Sequence, residues 1–570
     1  MQGNAIYKSA FEGSLLQAPF LIWHYQDEEG LQEKSWSRSA FLTESLKITH
    51  CLYKKGACRG DAVTLLMKSN RPEDLFFRLA ARILGLKPVT TNWHADELET
   101  ICFKIEASGA QFVFLDPDFD ELNLNQILAR FPDLKVIESQ SYGEDLFTGA
   151  WSEIQEEDTC MVIFTSGTTG KPKGVELSYK NYACNQSTFE SFLEVKEKDA
   201  LHLICVNPLH HTNSSAMTDW AMRRVGTRLH LIQIYRSGYW ETLVQIEKQS
   251  EGKIIAPVVA LHFDYLENLD NQGKLMVPRK QILASFSKIC FLMGSAPVGP
   301  ETVKRMVRYT GRSPVVRFGS TETCLQVAGT DIRMAESEKM DCFKRGWEHE
   351  WGGEKQVGYW IGQAHPPFTN VNVVKSVSEG NEGFMQSCQE GEPGYAVVRG
   401  DNCMKQYVNN LNATQSVYAD TWYTGLGDIV FYLMSEQHQA HLYWLSRESN
   451  LLIRGGANYS CERIAADLKS LVMSAYSLKS EDFYLAVVAM RMHSEHDDDC
   501  IVVMELKSDL AKTRQEEIRC TLKDKARTLP CKAGRPDEIV FEKIPKNFKG
   551  AVQVKDLRCL VQKRLKLEGI

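Results

Sequence analysis

No apolar run in these 570 residues approaches the roughly 18 that a membrane-crossing helix needs, so no span is predicted. The opening residues lack a charged segment followed by an apolar one, so no secretory leader is expected. A basic excess is also missing. The 66 lysines and arginines face 73 aspartates and glutamates, and the formal charge of −7 gives no reason to invoke nucleic acid or an anionic membrane. The 16 cysteines contain no CxxC pair and no zinc spacing with histidine. They are expected to be reduced, acting as small hydrophobic side chains in a cytoplasmic protein. No internal repeat is visible, and Lys566-Leu567-Glu568-Gly569-Ile570 is not a peroxisomal ending of the SKL kind.

What is present is the composition of a globular protein, 43% hydrophobic and 24% charged. The length exceeds one ordinary hydrophobic core and predicts at least two domains. Residues 42–54 read as an amphipathic helix, 62–67 as a buried strand, 73–86 as a helix and 112–115 as a strand. This βαβ rhythm continues through 111–137 and 253–318 and predicts parallel sheets covered by helices. Residues 331–356 are polar, charged and long for a connection, and read as a surface insertion. From about 355 to 445, short strands at 371–374, 394–398, 428–433 and 442–445 alternate with Gly-rich turns. After a polar break, helices at 462–473 and 514–527 and strands at 484–488, 501–505 and 538–541 form a compact unit. The predicted fold class is therefore α/β. A large domain, 1–446, has parallel sheets, helices and a small β-rich subdomain. A hinge at 447–450 leads to a small, mobile α/β domain at 451–570.

The most informative stretch is Thr165-Ser166-Gly167-Thr168-Thr169-Gly170-Lys171-Pro172-Lys173-Gly174. It holds four hydroxyls, three glycines and two lysines, directly after the apolar Met161-Val162-Ile163-Phe164. That order describes a buried strand ending in a loop whose glycines let backbone N–H groups approach an anion. The natural ligand is a polyphosphate. No Ser or Thr follows the lysine as the common P-loop requires.

This string resembles the phosphate loop of the adenylate-forming superfamily, which includes acyl-CoA synthetases, nonribosomal adenylation domains and beetle luciferases. Companion segments follow in the family's order. Asn207-Pro208-Leu209-His210-His211-Thr212-Asn213 is similar to the segment near the acyl pocket, with His211 on its histidine. Gly294-Ser295-Ala296-Pro297 resembles the stretch along the adenine, and Phe318-Gly319-Ser320-Thr321-Glu322-Thr323 the aromatic-Gly-x-Thr-Glu signature. Trp422-Tyr423-Thr424-Gly425-Leu426-Gly427-Asp428 carries the aspartate, with one residue more than the usual spacing. Ser446-Arg447 and Ile453-Arg454-Gly455-Gly456-Ala457-Asn458 resemble the hinge and first strand of the small domain, and 544–550 its C-terminal loop. The likeness runs from about 40 to 560.

The resemblance implies an acyl-CoA synthetase-like ligase using ATP, Mg2+ and CoA. Thr165, Ser166, Gly167, Thr168, Thr169, Gly170 and Lys173 would hold the β- and γ-phosphates. Gly294, Ser295, Ala296, Phe318, Gly319 and Ser320 would line the nucleotide. Thr321 would donate to the α-phosphate and Glu322 would place magnesium, a hard cation that prefers oxygen ligands. Asp428 would accept from both ribose hydroxyls, and Arg447 would orient ribose and phosphate. His211 would flank the acyl entry, Asn450 would occupy the hinge, and Gly455 and Gly456 would line the pantetheine path.

One departure concerns catalysis. The family's loop ends in Gly-Lys, but here Ala551 follows Gly550. Lys549 is the first candidate to supply the missing charge, with Lys546 and Lys555 further candidates. Pro208 to Ser215 contains no carboxylate to pair with a substrate amine, which disfavours an amino acid. The small and apolar residues of 211–240 suit an aliphatic or fatty acid. The expected reaction is activation of that acid to an acyl-adenylate and transfer to CoA, with release of AMP and pyrophosphate. The alternatives are loading of a separate acyl-carrier protein and a catalytically impaired nucleotide or acyl-adenylate binder.

Overall fold

The computed structural model describes residues 4–12, 16–28, 30–94, 96–165, 172–447, 451–454, 457–490, 492–493, 498–526, 534–547 and 550–568. The chain divides into two compact units. One comprises Met1–Asp341, Ile361–Asn372 and Val397–Gly425, and the other Cys342–Trp360, Val373–Ala396 and Leu426–Ile570.

The first unit carries two sheets of the alternating type expected. In one, the spatial order is Gly30–Ser37, Pro19–Asp27, Thr227–Ile232, Leu201–Cys205, Lys253–Val258, Ile289–Met293 and Val315–Phe318. Pro19–Asp27 to Val315–Phe318 are parallel, and Gly30–Ser37 closes the edge antiparallel. In the other, Thr159–Thr165, Lys87–Thr90, Ala62–Leu66, Phe112–Leu115 and Lys135–Glu138 are parallel neighbours. Lys173–Ser178 folds back antiparallel on Thr159–Thr165, and Gln406–Tyr407 pairs antiparallel beyond it. Ala62–Leu66 and Leu201–Cys205 are buried at every position, as parallel strands covered on both faces must be.

Polar side chains inside this unit tie the layers together. The helix Pro72–Leu84 starts with proline in its first turn and ends at Gly85, whose φ of 73° favours glycine. Its Arg78 is buried because Asp74 pairs with it at 2.5 Å, while Leu209 O and Ser215 Oγ accept at 2.8 and 3.1 Å. Three adjacent parallel strands each contribute a histidine to a buried row. His24 Nε2 is 3.1 Å from His230 Nδ1, and His230 Nε2 is 3.0 Å from His202 Nδ1.

In the second unit, Asp428–Met434 and Ala440–Arg447 form an antiparallel pair. Farther along, Phe483–Met490 and Asp499–Leu506 pair antiparallel, with Glu538–Phe541 parallel to the latter. The two-residue period of a strand sorts the side chains of this sheet. Val487, Ala489, Cys500, Val502 and Met504 face a cluster with Leu468 and Val472 of the helix Cys461–Tyr476. Ala486, Val488, Ile501 and Val503 face Leu557, Val561 and Leu565 of the helix Val554–Glu568.

The surface insertion expected at 331–356 is instead a helix, Glu336–Trp347, followed by the two-stranded hairpin Glu350–Trp351 and Glu354–Lys355. Phe343 is buried edge-on to Trp360 at 5.0 Å. The buried stripe of this helix includes Lys339 and Gly346, so no clean apolar period marks it. Among the described residues the cysteines form no disulfide, and no helix is long and apolar enough to cross a membrane.

Candidate active site

The motifs of the first unit meet where parallel strands end. Ile289–Met293 and Val315–Phe318 are neighbours, so Gly294-Ser295-Ala296 leaves one strand beside Phe318-Gly319-Ser320 leaving the next. Ligands of open α/β sheets bind at such carboxyl ends. A Cβ on Gly294 would lie 2.9 Å from Arg317 O, and Ser295 takes a left-handed φ of 71°.

The chain reverses tightly after Phe318. Leu325 N donates to Ser320 O at 3.0 Å, and Cys324 and Leu325 both take positive φ. A Cβ on Gly319 would stand 1.7 Å from Leu325 O, so only glycine fits. Asn402 Nδ2 holds Thr323 O at 3.0 Å. The result is a rigid turn with Thr321 and Glu322 at its tip, both half-buried.

Thr165 and Lys173 face each other across the pair that frames the phosphate loop. Thr165 Oγ1 reaches Glu322 Oε1 at 3.5 Å, and Tyr407 Oη donates to the same oxygen at 3.3 Å. Lys173 Nζ sits 4.9 Å from the centre of the Tyr407 ring. Beside Glu322, burial raises the Tyr407 phenol above its ordinary range. Tyr407 therefore touches both Lys173 and the Glu322 carboxylate.

His211 precedes the helix Thr212–Arg223. Thr212 Oγ1 donates to Thr321 Oγ1 at 2.8 Å, so the helix start abuts the turn. Buried Asn70 fixes this approach. Its Nδ2 donates to the carbonyls of Ile232 and Asn207 at 2.9 and 3.2 Å, and its Oδ1 accepts from Leu209 N at 2.9 Å. His211, His210 and Trp93 form a ring cluster, with His210 4.2 Å from each of the other two.

Asp428 and Arg447 belong to the second unit, where they are directly opposite on paired strands. Asp428 is buried and accepts from Trp444 Nε1 at 2.8 Å. The extra residue before it is absorbed by a turn in which Gly427 takes a φ of 66°. In the C-terminal loop, Lys546 pairs with Val552 across a narrow hairpin, and Asn547 N donates to Ala551 O at 2.9 Å. Lys546 Nζ rests over the Tyr484 ring, and burial pushes its ammonium down to about 8. Ser166, Gly167, Thr168, Thr169, Gly170, Asn450, Gly455, Gly456 and Lys549 lie outside the described residues.

The structure thus brings together Thr165, Lys173, Thr321, Glu322 and the helix start after His211. Tyr407, Thr212, Asn70 and Arg317 escaped the sequence reading. Tyr407 and Asn70 stand in no recognised motif, and Thr212 was read only as part of the His211 segment.

The family model for AMP-binding enzymes matches residues 17–408, a span that contains all of these first-unit groups. The chain belongs to the AMP-binding enzyme family, and its likeness to adenylate-forming, acyl-CoA synthetase-like enzymes is thereby shown. The 2-succinylbenzoate–CoA ligase of Bacillus subtilis is 25% identical over 450 residues, 79% of either chain. The long-chain-fatty-acid–CoA ligase FadD13 of Mycobacterium tuberculosis is 24% identical over 413 residues, 71% of either chain. The fold is shared with o-succinylbenzoate CoA synthetase (MenE) from Bacillus subtilis in complex with its acyl-adenylate intermediate, at a TM-score of 0.74, 20% identity and 98% coverage of both chains. It is shared equally with ATP-bound MatB from Rhodopseudomonas palustris, at a TM-score of 0.74, 18% identity and 98% and 99% coverage.

Proposed function

We propose that this enzyme is an AMP-forming acid–thiol ligase. It would activate a carboxylic acid with ATP and pass the acyl group to CoA, releasing AMP and pyrophosphate. The observation that carries this reading is the convergence of two segments, Thr165 with Lys173 and Thr321 with Glu322, with Thr165 meeting Glu322 from 157 positions away. Both named relatives are CoA ligases, and their acids differ widely, 2-succinylbenzoate and a long-chain fatty acid. An acyl-carrier protein as acceptor has no support among them.

The chemistry is positioning and electrostatics. The frame of Thr165 and Lys173 would hold the polyphosphate. The Thr321 hydroxyl would donate to the α-phosphate as charge builds on it. Thr212 begins a twelve-residue helix there, and its N-terminal end adds partial positive charge at the same place. Asp428 and Arg447, on their own unit, would take the ribose. His211 would flank the entering acid. The small domain at 451–570 would turn about 447–450 to present Gly455 and Gly456 to the pantetheine arm.

Glu322 fits a magnesium ion. One of its oxygens is engaged only by neutral hydroxyls, and among the described residues no lysine or arginine pairs with it. No cluster of three or more ligating side chains exists among the described residues, which suits an ion completed by phosphate and water oxygens. Bound there, the ion would offset charge on the leaving pyrophosphate.

A second reading, an impaired nucleotide binder, is favoured by Ala551, which is exposed and carries no charge. Carboxylate-dependent ATP–pyrophosphate exchange decides between them. Exchange with any acid supports the ligase. Tight ATP binding with no exchange across short, long-chain, aryl and dicarboxylic acids supports the binder.

A further inference from the structure

A buried cation lies on the strand that leads into the Thr321–Glu322 turn. Arg317 is on the strand Val315–Phe318, immediately before the turn that presents Thr321 and Glu322, and is only 5% exposed. Its Nη2 donates to Asn213 Oδ1 at 2.5 Å, and its Nη1 lies 3.7 Å from Met217 Sδ. Neither partner neutralises its charge. Among the described residues no carboxylate pairs with it; burial pushes the guanidinium down to about 9, opposed only by Cys290.

Other buried arginines of this unit differ. Arg78 pairs with Asp74, and both Arg82 and Arg223 pair with Asp219. Arg38 is satisfied by the carbonyls of Ala10, Ala221 and Arg224. A guanidinium has five N–H donors, and Arg317 commits one to an oxygen. A buried charge held this way is costly until an anion joins it.

Its place says where that anion belongs. Asn213 follows Thr212, whose hydroxyl bonds Thr321, and Met217 is one turn farther along the same helix. At about 1.5 Å per residue, the guanidinium lies within roughly 8 Å of Thr212 along the helix axis. The helix face it meets carries Asn213 and Met217, one turn apart. A cation without a carboxylate at that span matches a short acid with a charged far end better than a fatty chain.

We propose that the acid activated here carries a second carboxylate, and that Arg317 selects it by pairing with that group. The inference rests on the ligase reading above. It assigns Arg317 to substrate specificity and leaves the reacting carboxylate to the groups already described.

The test compares wild type with Arg317→Met and Arg317→Lys. Exchange is measured with succinate, glutarate and phthalate against butyrate, valerate and benzoate. Wild type is expected to favour the diacids, and Arg317→Met to lower their kcat/KM about a hundredfold while monoacids change about threefold or less. The KM for ATP stays unchanged, and Arg317→Lys retains part of the preference. Equal use of both acid classes by wild type, or equal loss of both in Arg317→Met, overturns the proposal. The same acids are also read by the rise in Tm they cause, which does not need turnover. If no acid supports exchange, the ligase reading fails. A diacid-dependent rise in wild type that vanishes in Arg317→Met then upholds the Arg317 site, and no rise with any diacid overturns it.

Discussion

The Thr321 hydroxyl meets both Thr212 and the place where charge would develop, so it is the side chain whose loss should hurt most. Thr321→Val keeps the shape and removes the donor. Exchange is expected to fall by about a hundredfold or more, as for other preorganised donors, with Tm little changed. Tyr407→Phe removes one hydrogen bond to Glu322. A bond of that kind is worth about 1.5–3 kcal/mol, so the apparent affinity for magnesium should drop roughly tenfold or more in a titration of exchange against the ion. The two residues differ in how they show in sequence. Thr321 and Glu322 sit in one contiguous string that a glycine-dependent turn demands. Tyr407 meets Glu322 from 85 positions away, and Thr165 meets it from 157, so their meeting appears only once the sheets are assembled. Arg317 was invisible for another reason: one arginine in a strand carries no sign of lacking a carboxylate.

Among the elements, the helices read at 462–473 and 514–527 and the strands at 484–488, 501–505 and 538–541 were readable because each apolar set follows a single period, whereas the helix Val554–Glu568 went unread. The helix Glu336–Trp347 was not, since lysine and glycine interrupt its buried stripe. The hairpin carrying Ala551 offers the sharpest test at this scale. Ala551 is exposed and its backbone is already held by Asn547, so a longer side chain meets no obstacle. Ala551→Lys is expected to raise exchange about tenfold or more, by restoring the lysine that the family's loop carries at this position. Transfer to CoA from a preformed acyl-adenylate should not change. An unchanged exchange rate would show that Ala551 does not limit adenylation, and Lys549→Ala then asks whether that lysine already does the work.

The whole molecule should be sensitive to acid. Burial pushes His24 and His202 down to about 4, and places His230 well below its ordinary range. An unfolded histidine titrates near 6.5. The unfolded chain therefore binds more protons as the pH falls from about 6.5 toward 4, and stability, intact above that window, declines through it. One such histidine accounts for about 3 kcal/mol. Urea midpoints measured between pH 8 and 4.5 should fall steeply below 6.5, and His202→Gln should lessen that slope. A flat profile would contradict the burial of the row.

The same row shows how far apart in the chain its members are. The strand Pro19–Asp27 lies beside Thr227–Ile232, so its partner is about 200 residues downstream. A ribosome adding roughly 5–20 residues each second leaves that early strand waiting about 10–40 s for its neighbour. During that interval the antiparallel Gly30–Ser37 is the strand at hand to pair with it, and the helix Arg38–Lys54 covers it through Phe41 against Phe20. Nascent chains halted before residue 227 should therefore be cut by protease within the first 40 residues, and chains released after residue 320 should resist.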